Sequence, residues 1–200
     1  MPIEMIVFDL GKVIFDFDFE KVIKEYCKKT DKLPDFYSAA NLDLLTRYEL
    51  GIIDSAQFFK SFSKETEYKG SFNEFSTLWN NIFKPIDETI EIIGKLASKY
   101  RLSLLSNTNE MHFNYLLDGY PRVFTLFEKM FLSYQMGLRK PDPKIYQGVL
   151  DFFNIEPAKV FFIDDIAQNV EAANMLSIKA YQFTSAANLK KSLKNEGVLL

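Results

Sequence analysis

Short apolar runs predict the strands of a sheet. The runs occupy residues 3–8, 102–105 and 160–163, and the more mixed segments 129–133 and 179–183 are predicted as two further short strands. Helical periodicity follows or precedes these runs at residues 87–100, 107–117, 143–153, 167–176 and beyond 183. Runs that are apolar throughout are typical of strands buried on both faces. Because strands that alternate with helices favour a parallel sheet, the pattern predicts an α/β fold with helices on both faces. It leaves the order of the strands open.

The stretch after the first strand has a different pattern. Residues 15–19 alternate aromatic and acidic side chains, which favours a hairpin or an extended flap. Residues 16–85 contain four segments of helical spacing and no convincing strand. Helix starts are indicated at Pro34, Asp54 and Ser71. We therefore predict a core domain of residues 1–15 and 86–200, with a helical domain of residues 16–85 inserted after the first strand.

Composition excludes several classes of protein. Of the 200 residues 48% are apolar, which suits a well-filled core, and the net charge of −3 comes with no cluster of Lys and Arg that would favour nucleic acid. Cys27 is the only cysteine, so neither an intramolecular disulfide nor a thiolate metal site can form. The first apolar run is too short for a signal peptide, and no run reaches the length of a membrane span. We expect a soluble, cytoplasmic monomer or dimer whose partner is a small molecule.

Polar side chains follow three of the predicted strands at the point where each strand ends. They are Asp9, then Ser106 and Asn107, and then the pair Asp164 and Asp165. Open parallel sheets bind ligands at the carboxyl ends of their strands, so we expect these side chains to lie in one crevice. Lys140 precedes a proline, which restricts its backbone to an extended conformation and limits where its ammonium group reaches.

This set of residues suits a phosphoryl group. Several carboxylates lie together only when a hard cation offsets their repulsion, which favours Mg²⁺. Ser106, Asn107 and Lys140 supply donors for phosphoryl oxygens. Asp9 is then free to attack phosphorus and form an aspartyl-phosphate. Each residue alone has a simpler explanation as a cap, a turn or a surface residue; the ordered combination favours the phosphoryl site.

The chain resembles the haloacid dehalogenase superfamily, whose members are mostly Mg²⁺-dependent phosphatases. The motifs that carry the resemblance lie at residues 9–13 (DLGKV), 104–108 (LLSNT), 137–141 (GLRKP) and 162–165 (FIDD). Residues 48–51 (YELG), followed by Phe58, resemble a recurrent turn in the cap of that group. The resemblance spans essentially the whole chain, and it implies a Rossmann-like core with a type-one helical cap inserted after the first strand.

The resemblance also implies roles for individual residues. Asp9 corresponds to the nucleophile and a metal ligand, and Lys140 to a catalytic and phosphate-binding residue. The main-chain carbonyl of Gly11 corresponds to a second metal ligand. Asp165 corresponds to a third ligand, with Asp164 bound directly or through water. Asn169 resembles a residue that contacts the metal ligands rather than the metal itself, although a helix-capping role is an equal alternative.

One position departs from the phosphatase pattern. Gly11 stands where most of these phosphatases carry a second aspartate, which acts as general acid and then as general base. Its loss matters because such proton transfer is commonly worth about 10²–10⁴ in rate. A subgroup that resembles the α-D-glucose-1-phosphate phosphatases also carries Gly here, which favours activity on substrates with good leaving groups, such as sugar or acyl phosphates. Asp16, Asp18 and a substrate-bound water are alternative proton donors, although for the two acids a structural role in the flap is at least an equal alternative.

Other classes of protein fit the motifs less well. A haloacid dehalogenase usually carries an aromatic residue at position 11, and an aspartyl-phosphate receiver has its acidic pair first in the chain. A catalytically weak, phosphate-binding regulatory protein is the remaining alternative. His112, the lone histidine, is expected to pack or to face the cap. Substrate choice is expected to lie with cap residues, for which Phe17, Phe19, Tyr48 and Glu49 are candidates.

Overall fold

The computed structural model describes residues 2–30, 35 and 38–199, and it confirms the α/β fold. The strands are β1 Met5–Phe8, β2 Phe15–Phe17, β3 Phe83–Pro85, β4 Arg101–Ser106, β5 Lys129–Leu132, β6 Val160–Asp164 and β7 Lys179–Gln182. The helices are α1 Phe19–Tyr26, α2 Ala39–Glu49, α3 Ser55–Thr66, α4 Phe72–Asn80, α5 Asp87–Leu96, α6 Glu110–Gly119, α7 Pro121–Phe124, α8 Ser133–Met136, α9 Pro143–Phe153, α10 Ala167–Met175 and α11 Ala186–Asn195. Pro34 lies outside the described residues. In the part of the chain that is described, every helix is too short or too polar to cross a bilayer.

The main sheet is parallel, with the strand order β5-β4-β1-β6-β7. Strand β1 lies at its centre, where Phe8 pairs with Leu104 of β4 and with Ile163 of β6. All four β1 residues are buried, which explains why this run contains no polar side chain. The register brings the carboxyl ends of β1, β4 and β6 to the same edge of the sheet.

Helices cover both faces of this sheet, as predicted. Along β1 the side chains alternate between two hydrophobic clusters, because successive residues of a strand point to opposite faces. Ile6 and Phe8 belong to the cluster that contains residues of α5, α6 and α11. Met5 and Val7 belong to the cluster that contains residues of α9 and α10. The sheet is therefore the middle of three layers.

The inserted segment forms the predicted helices α1–α4, packed around an aromatic cluster. Its buried members are Tyr26, Tyr48, Phe58, Phe62, Tyr68, Phe75 and Trp79, joined by Met111 of α6. Capping boxes begin α3 at Asp54 and α4 at Ser71. In each, the side chain of the cap residue accepts from the backbone N–H three residues on, and the side chain of that later residue accepts from the backbone N–H of the cap residue. The helix starts predicted at Asp54 and Ser71 are thus confirmed. The division into domains at residues 15 and 85 stays a prediction.

The prediction that residues 16–85 contain no strand is wrong. Strands β2 and β3 pair antiparallel at the base of the insertion, with Asp16 opposite Lys84. Residues 15–17 are extended, as expected, but their partner lies far along the chain rather than in a local hairpin. Three-residue strands are too short to show a period, so only the folded chain reveals this pair.

Replacing Gly51 by Ala is expected to destabilise the fold. Gly51 has φ +68°, and a Cβ there would lie 2.1 Å from the carbonyl oxygen of Tyr134. The loss in free energy of unfolding should therefore exceed the roughly 1–2 kcal/mol that a left-handed backbone alone costs a residue with a Cβ. Gly137→Ala is the matched control, since φ is +64° and nothing lies within 4 Å of a Cβ. Equal losses for both variants in urea denaturation would contradict the importance of the close contact.

Candidate active site

Lys140 connects the residues that follow the strands. Its Nζ donates to Oδ1 of Asp9 at 2.6 Å, to Oδ2 of Asp164 at 2.6 Å and to the carbonyl oxygen of Leu105 at 2.9 Å. The lysine side chain is 1% exposed. All three of its N–H donors are thus used inside the protein. Lys140 can donate to a phosphoryl oxygen only by exchanging one of these bonds, so its phosphate-binding role stays a prediction.

Asp164 is buried and held by several donors. Its Oδ1 accepts hydrogen bonds from the backbone N–H of Ile166 at 2.8 Å and from Nδ2 of Asn169 at 2.9 Å. Nδ2 of Asn169 also lies 3.0 Å from Oδ2, the oxygen that accepts from Lys140. The Tyr146 hydroxyl donates to the backbone carbonyl of Asn169 at 3.0 Å, behind this pair. Asn169 therefore contacts Asp164 directly and fixes the orientation of its carboxylate.

Asp9, Asp164 and Asp165 form an acidic cluster suited to a hard cation. Each offers a carboxylate oxygen, and these oxygens lie within 4.8 Å of one another. Burial raises the pKa of Asp9 to about 7 against the opposing effect of Lys140, and burial followed by the charge of Asp164 raises the pKa of Asp165. Burial disfavours the Lys140 charge, but the two carboxylates outweigh it and raise the pKa of Lys140. Lys140 is thus held as a cation, and a second cation near the three acids would favour their charged forms.

The Asn107 side chain contacts the Lys140 backbone. Its Oδ1 accepts from the backbone N–H of Lys140 at 2.8 Å, and its Nδ2 donates to the Lys140 carbonyl at 2.9 Å. The amide oxygen and one of the two Nδ2 hydrogens therefore orient the lysine loop, and the phosphate-binding role of Asn107 stays a prediction. Ser106 ends β4, and its side chain is buried at the edge where Asp9 lies. Its phosphate-binding role stays a prediction.

The two acids of the flap have local partners. Asp16 is ion-paired with Lys12, whose Nζ also donates to the carbonyl of Phe17 at 2.8 Å. The hydrogen bond from Lys12 lowers the pKa of Asp16, which makes Asp16 a poor proton donor. Asp18 is the N-cap of α1, where its carboxylate accepts from the backbone N–H of Glu20 at 2.8 Å. Both acids thus have local structural partners, which favours the alternative prediction of a structural role in the flap.

A cavity of about 140 Å³ lies over the strand ends. Leu10, Gly11 and Ser106 line it from the sheet side, and Phe17, Phe19 and Glu49 are among the residues that line it from the insertion. Tyr48 is buried instead in the aromatic cluster, and its hydroxyl accepts from the backbone N–H of Met111 at 3.2 Å. Of the four predicted substrate-contact residues, three therefore face the cavity.

An ion pair between the insertion and the loop that contains Lys140 was not predicted. Arg139 Nη2 lies 2.9 Å from Oε2 of Glu49 in α2, and Arg139 Nη1 donates to the Thr46 hydroxyl at 3.1 Å. Arg139 directly precedes Lys140, so α2 contacts the same loop that delivers the buried lysine. The adjacency of Arg139 and Lys140 was visible in the sequence, but no periodicity indicated the partner.

His112 packs as expected, between the insertion and the core. Its ring stacks on Trp79 at 5.4 Å, its Nδ1 accepts from Asn109, and its Nε2 lies 3.0 Å from the Trp79 carbonyl. This assignment makes Nε2 the protonated nitrogen. Burial lowers the pKa of His112 to about 4, so the ring is neutral near pH 7.

Residues 6–182 match the family of haloacid dehalogenase-like hydrolases, and the chain belongs to this family. A D-ribitol-5-phosphate phosphatase from Bacteroides thetaiotaomicron is 26% identical over 202 residues, covering 96% of this chain and 97% of the relative. The crystal structure of a family enzyme from Bacteroides thetaiotaomicron, in complex with magnesium and inorganic phosphate, has a TM-score of 0.84 and 28% identity, covering 92% of this chain and 95% of that one. A structure of a family hydrolase from Porphyromonas gingivalis has a TM-score of 0.82 and 25% identity, covering 98% of both chains.

Proposed function

We propose that this protein is a Mg²⁺-dependent phosphatase that hydrolyses a small phosphorylated metabolite through an aspartyl-phosphate on Asp9. The observation that carries the proposal is the buried Lys140 bridge between Asp9 and Asp164, next to Asp165. Burying a lysine and three acids together is costly in desolvation, and catalysis of phosphoryl transfer depends on charges held in position in this way. The relatives that hydrolyse a phosphate ester or bind magnesium and phosphate support it.

The acidic cluster fits the metal. Asp9 and Asp165, with the main-chain carbonyl of Gly11, would hold Mg²⁺, and Asp164 would bind it directly or through water. The ion would neutralise phosphoryl charge and offset its repulsion from the Asp9 carboxylate. Asn169 fixes Asp164 and thereby the shape of the site.

Asp9 is the proposed nucleophile. A carboxylate oxygen of Asp9 attacks phosphorus in line with the leaving oxygen, and water later releases phosphate from the acyl phosphate. Lys140 holds the attacking carboxylate in place and provides positive charge close to the phosphoryl oxygens. Ser106, at the end of the neighbouring strand, is the proposed hydroxyl donor to one of these oxygens.

The insertion is the proposed cap domain, residues 16–85 against a core of residues 1–15 and 86–200. Phe17, Phe19 and Glu49 face the space where the leaving group would lie. The phosphoryl site recognises only a phosphoryl group, so these residues select the substrate. A sugar or polyol phosphate is supported by the ribitol-phosphate relative. Gly11 favours the one alternative function, a phosphate-binding regulatory protein with weak turnover, because the usual acid is missing.

Phosphate release from p-nitrophenyl phosphate and from a panel of phosphorylated metabolites tests the function. Release that requires Mg²⁺ is expected, and the panel identifies the preferred leaving group. Phosphate binding without release from any substrate would instead favour the regulatory protein.

Asp165 is expected to be a ligand on which Mg²⁺ binding, and therefore activity, depends. Chelation with EDTA should abolish activity, and Asp165→Asn should raise the Mg²⁺ concentration for half-maximal activity by at least about 10-fold, because even groups behind the ligands are worth about 10–100-fold in metal affinity. Asp118→Asn, at an exposed position of α6, is the matched control. An unchanged Mg²⁺ requirement in Asp165→Asn would remove Asp165 from the ligand set.

A further inference from the structure

The proposed reaction needs a proton donor that the usual position does not provide. An alkoxide is a poor leaving group, and its departure from phosphorus is accelerated by a general acid. Gly11 has no side chain, and a Cβ at this position would lie 2.9 Å from Cε1 of Phe17. The Phe17 ring therefore occupies the space into which an acid at position 11 would extend. Asp16 and Asp18 are engaged by Lys12 and by the start of α1.

Glu49 lines the same cavity as Gly11. Among the described residues that line the cavity over the strand ends, Glu49 is the only acid. It lies at the end of α2, in the insertion, and it shares the lining of the cavity with Gly11 and Ser106 of the core. Its side chain is 16% exposed, so it is largely shielded from bulk water and still open to the cavity.

We infer that Glu49 is the general acid and general base of this phosphatase, in place of an acid at position 11. The inference rests on the proposed function and adds a second catalytic residue, contributed by the cap. In the first step the Asp9 oxygen forms a bond to phosphorus, the bond from phosphorus to the leaving oxygen breaks, and Glu49 transfers its proton to that oxygen. In the second step Glu49 takes a proton from water, the water oxygen bonds to phosphorus, and the bond from phosphorus to Asp9 breaks. Phosphate leaves, and the Glu49 carboxyl is regenerated.

The charged groups around Glu49 are compatible with this role. Burial raises the pKa of Glu49, and the positive charges of Arg139 and Lys140 oppose that shift. Arg139 engages Oε2, and no hydrogen bond to Oε1 is made within the described residues. His112 lines the same cavity but is neutral, and both its ring nitrogens have partners. Arg139 thus orients the carboxyl group by one oxygen and leaves the other for the leaving group.

Leaving-group dependence separates this role from simple positioning. We would measure kcat/KM for p-nitrophenyl phosphate and for an alkyl phosphate, ribitol 5-phosphate, with wild type and Glu49→Gln. This constant reports the steps up to departure of the leaving group. Since p-nitrophenolate leaves without protonation, its kcat/KM should fall less than about 3-fold, while that of the alkyl phosphate should fall by about 10²-fold or more.

The pH profile provides a second readout. An acid acts only while it is protonated, so kcat/KM of wild type for the alkyl phosphate should fall as pH rises through the pKa of Glu49. Glu49→Gln should lack this alkaline limb, and Glu49→Asp should retain it with reduced activity. Glu110→Gln is the control, because it removes another contact between the insertion and the core, the 2.7 Å hydrogen bond from Ser55, without entering the cavity. It should leave the ratio of the two constants unchanged.

The outcomes distinguish the two proposals. Equal losses for both substrates in folded Glu49→Gln, or an unchanged alkaline limb, would overturn the acid–base role and leave Glu49 as a positioning residue. No phosphate release by wild type from either substrate or from the wider panel would instead overturn the phosphatase function itself.

Discussion

Replacing Asp9 by Asn is expected to lower kcat for p-nitrophenyl phosphate by a factor on the order of 10³ or more, as removal of a nucleophile typically does. The amide has nearly the shape of the carboxylate and can still accept from Lys140, but its oxygen is a poor nucleophile toward phosphorus. The variant should therefore fold and bind phosphate while failing to turn over. Rapid quench with a labelled substrate, followed by acid precipitation, measures the phosphoryl-enzyme in wild type and its absence in the variant.

Asp151→Asn is the matched control for this substitution. Asp151 is exposed on α9, where its carboxylate accepts from Gln147 at 2.7 Å, remote from the strand ends. Its substitution should leave kcat unchanged. Wild-type turnover in folded Asp9→Asn would remove Asp9 as the nucleophile, whatever the activity of the protein.

Lys140→Met is expected to lower the free energy of unfolding by about 3–5 kcal/mol in EDTA, the cost of breaking a buried ion pair. The variant leaves Asp9 and Asp164 close together without the cation that bridges them. Urea denaturation monitored by the intrinsic fluorescence of Trp79 measures the loss. Activity should fall with it, because the attacking carboxylate is no longer held.

The deficit of Lys140→Met should grow as pH rises past about 7, where Asp9 of the wild type ionises and Asp9 of the variant stays protonated. Burial already raises the pKa of Asp9 in the native protein to about 7, well above its unfolded value of 3.8. A raised carboxyl pKa means that the native state binds more protons, so stability is highest below the unfolded pKa and is lost as pH rises through the folded pKa. Lys140 lowers the pKa of Asp9, so without Lys140 this pKa is higher and the loss of stability continues to a higher pH.

Two further measurements complete this experiment. Lys159→Met breaks the surface pair with Glu4 at 3.0 Å and should cost less than about 1 kcal/mol. Mg²⁺ should restore part of the stability of Lys140→Met, since it would bind beside the same carboxylates. A pH-independent loss no larger than that of Lys159→Met would contradict the buried bridge as a source of stability.

Local sequence was sufficient to predict a helix or strand wherever the residues of that element alone determine its structure. Helix α9 spans Pro143–Phe153, as predicted, because Pro suits the first helical position and Asp142 caps it by accepting from the backbone N–H of Lys144. The buried strands were found because a strand covered on both faces is apolar throughout. Prediction failed for β2 and β3, whose three residues each gain their structure from one another across the insertion.

The contacts of the candidate site also divide into those that the sequence predicts and those that it does not. The convergence of Asp9, Asp164 and Lys140 was predicted because parallel strands deliver their carboxyl ends to one edge. The hydrogen-bond partners of the remaining polar groups were not predicted, since hydrogen bonds between distant residues leave no local pattern in the sequence. The use of the Asn107 amide by the Lys140 backbone belongs to this group, as does the pair of Arg139 with Glu49.

The sequence by itself determined the strands of the main sheet, the inserted helices and the acids that follow β1 and β6, because burial and helix capping act over a few neighbouring residues. Only the tertiary structure decided the strand order, the antiparallel pair of β2 with β3, and which charges meet. Lys140 is buried because two acids and the Leu105 carbonyl satisfy all its donors, and Glu49 lines the cavity from the end of α2, where it pairs with Arg139. Such contacts depend on how elements pack against one another, and no stretch of the chain encodes that packing alone.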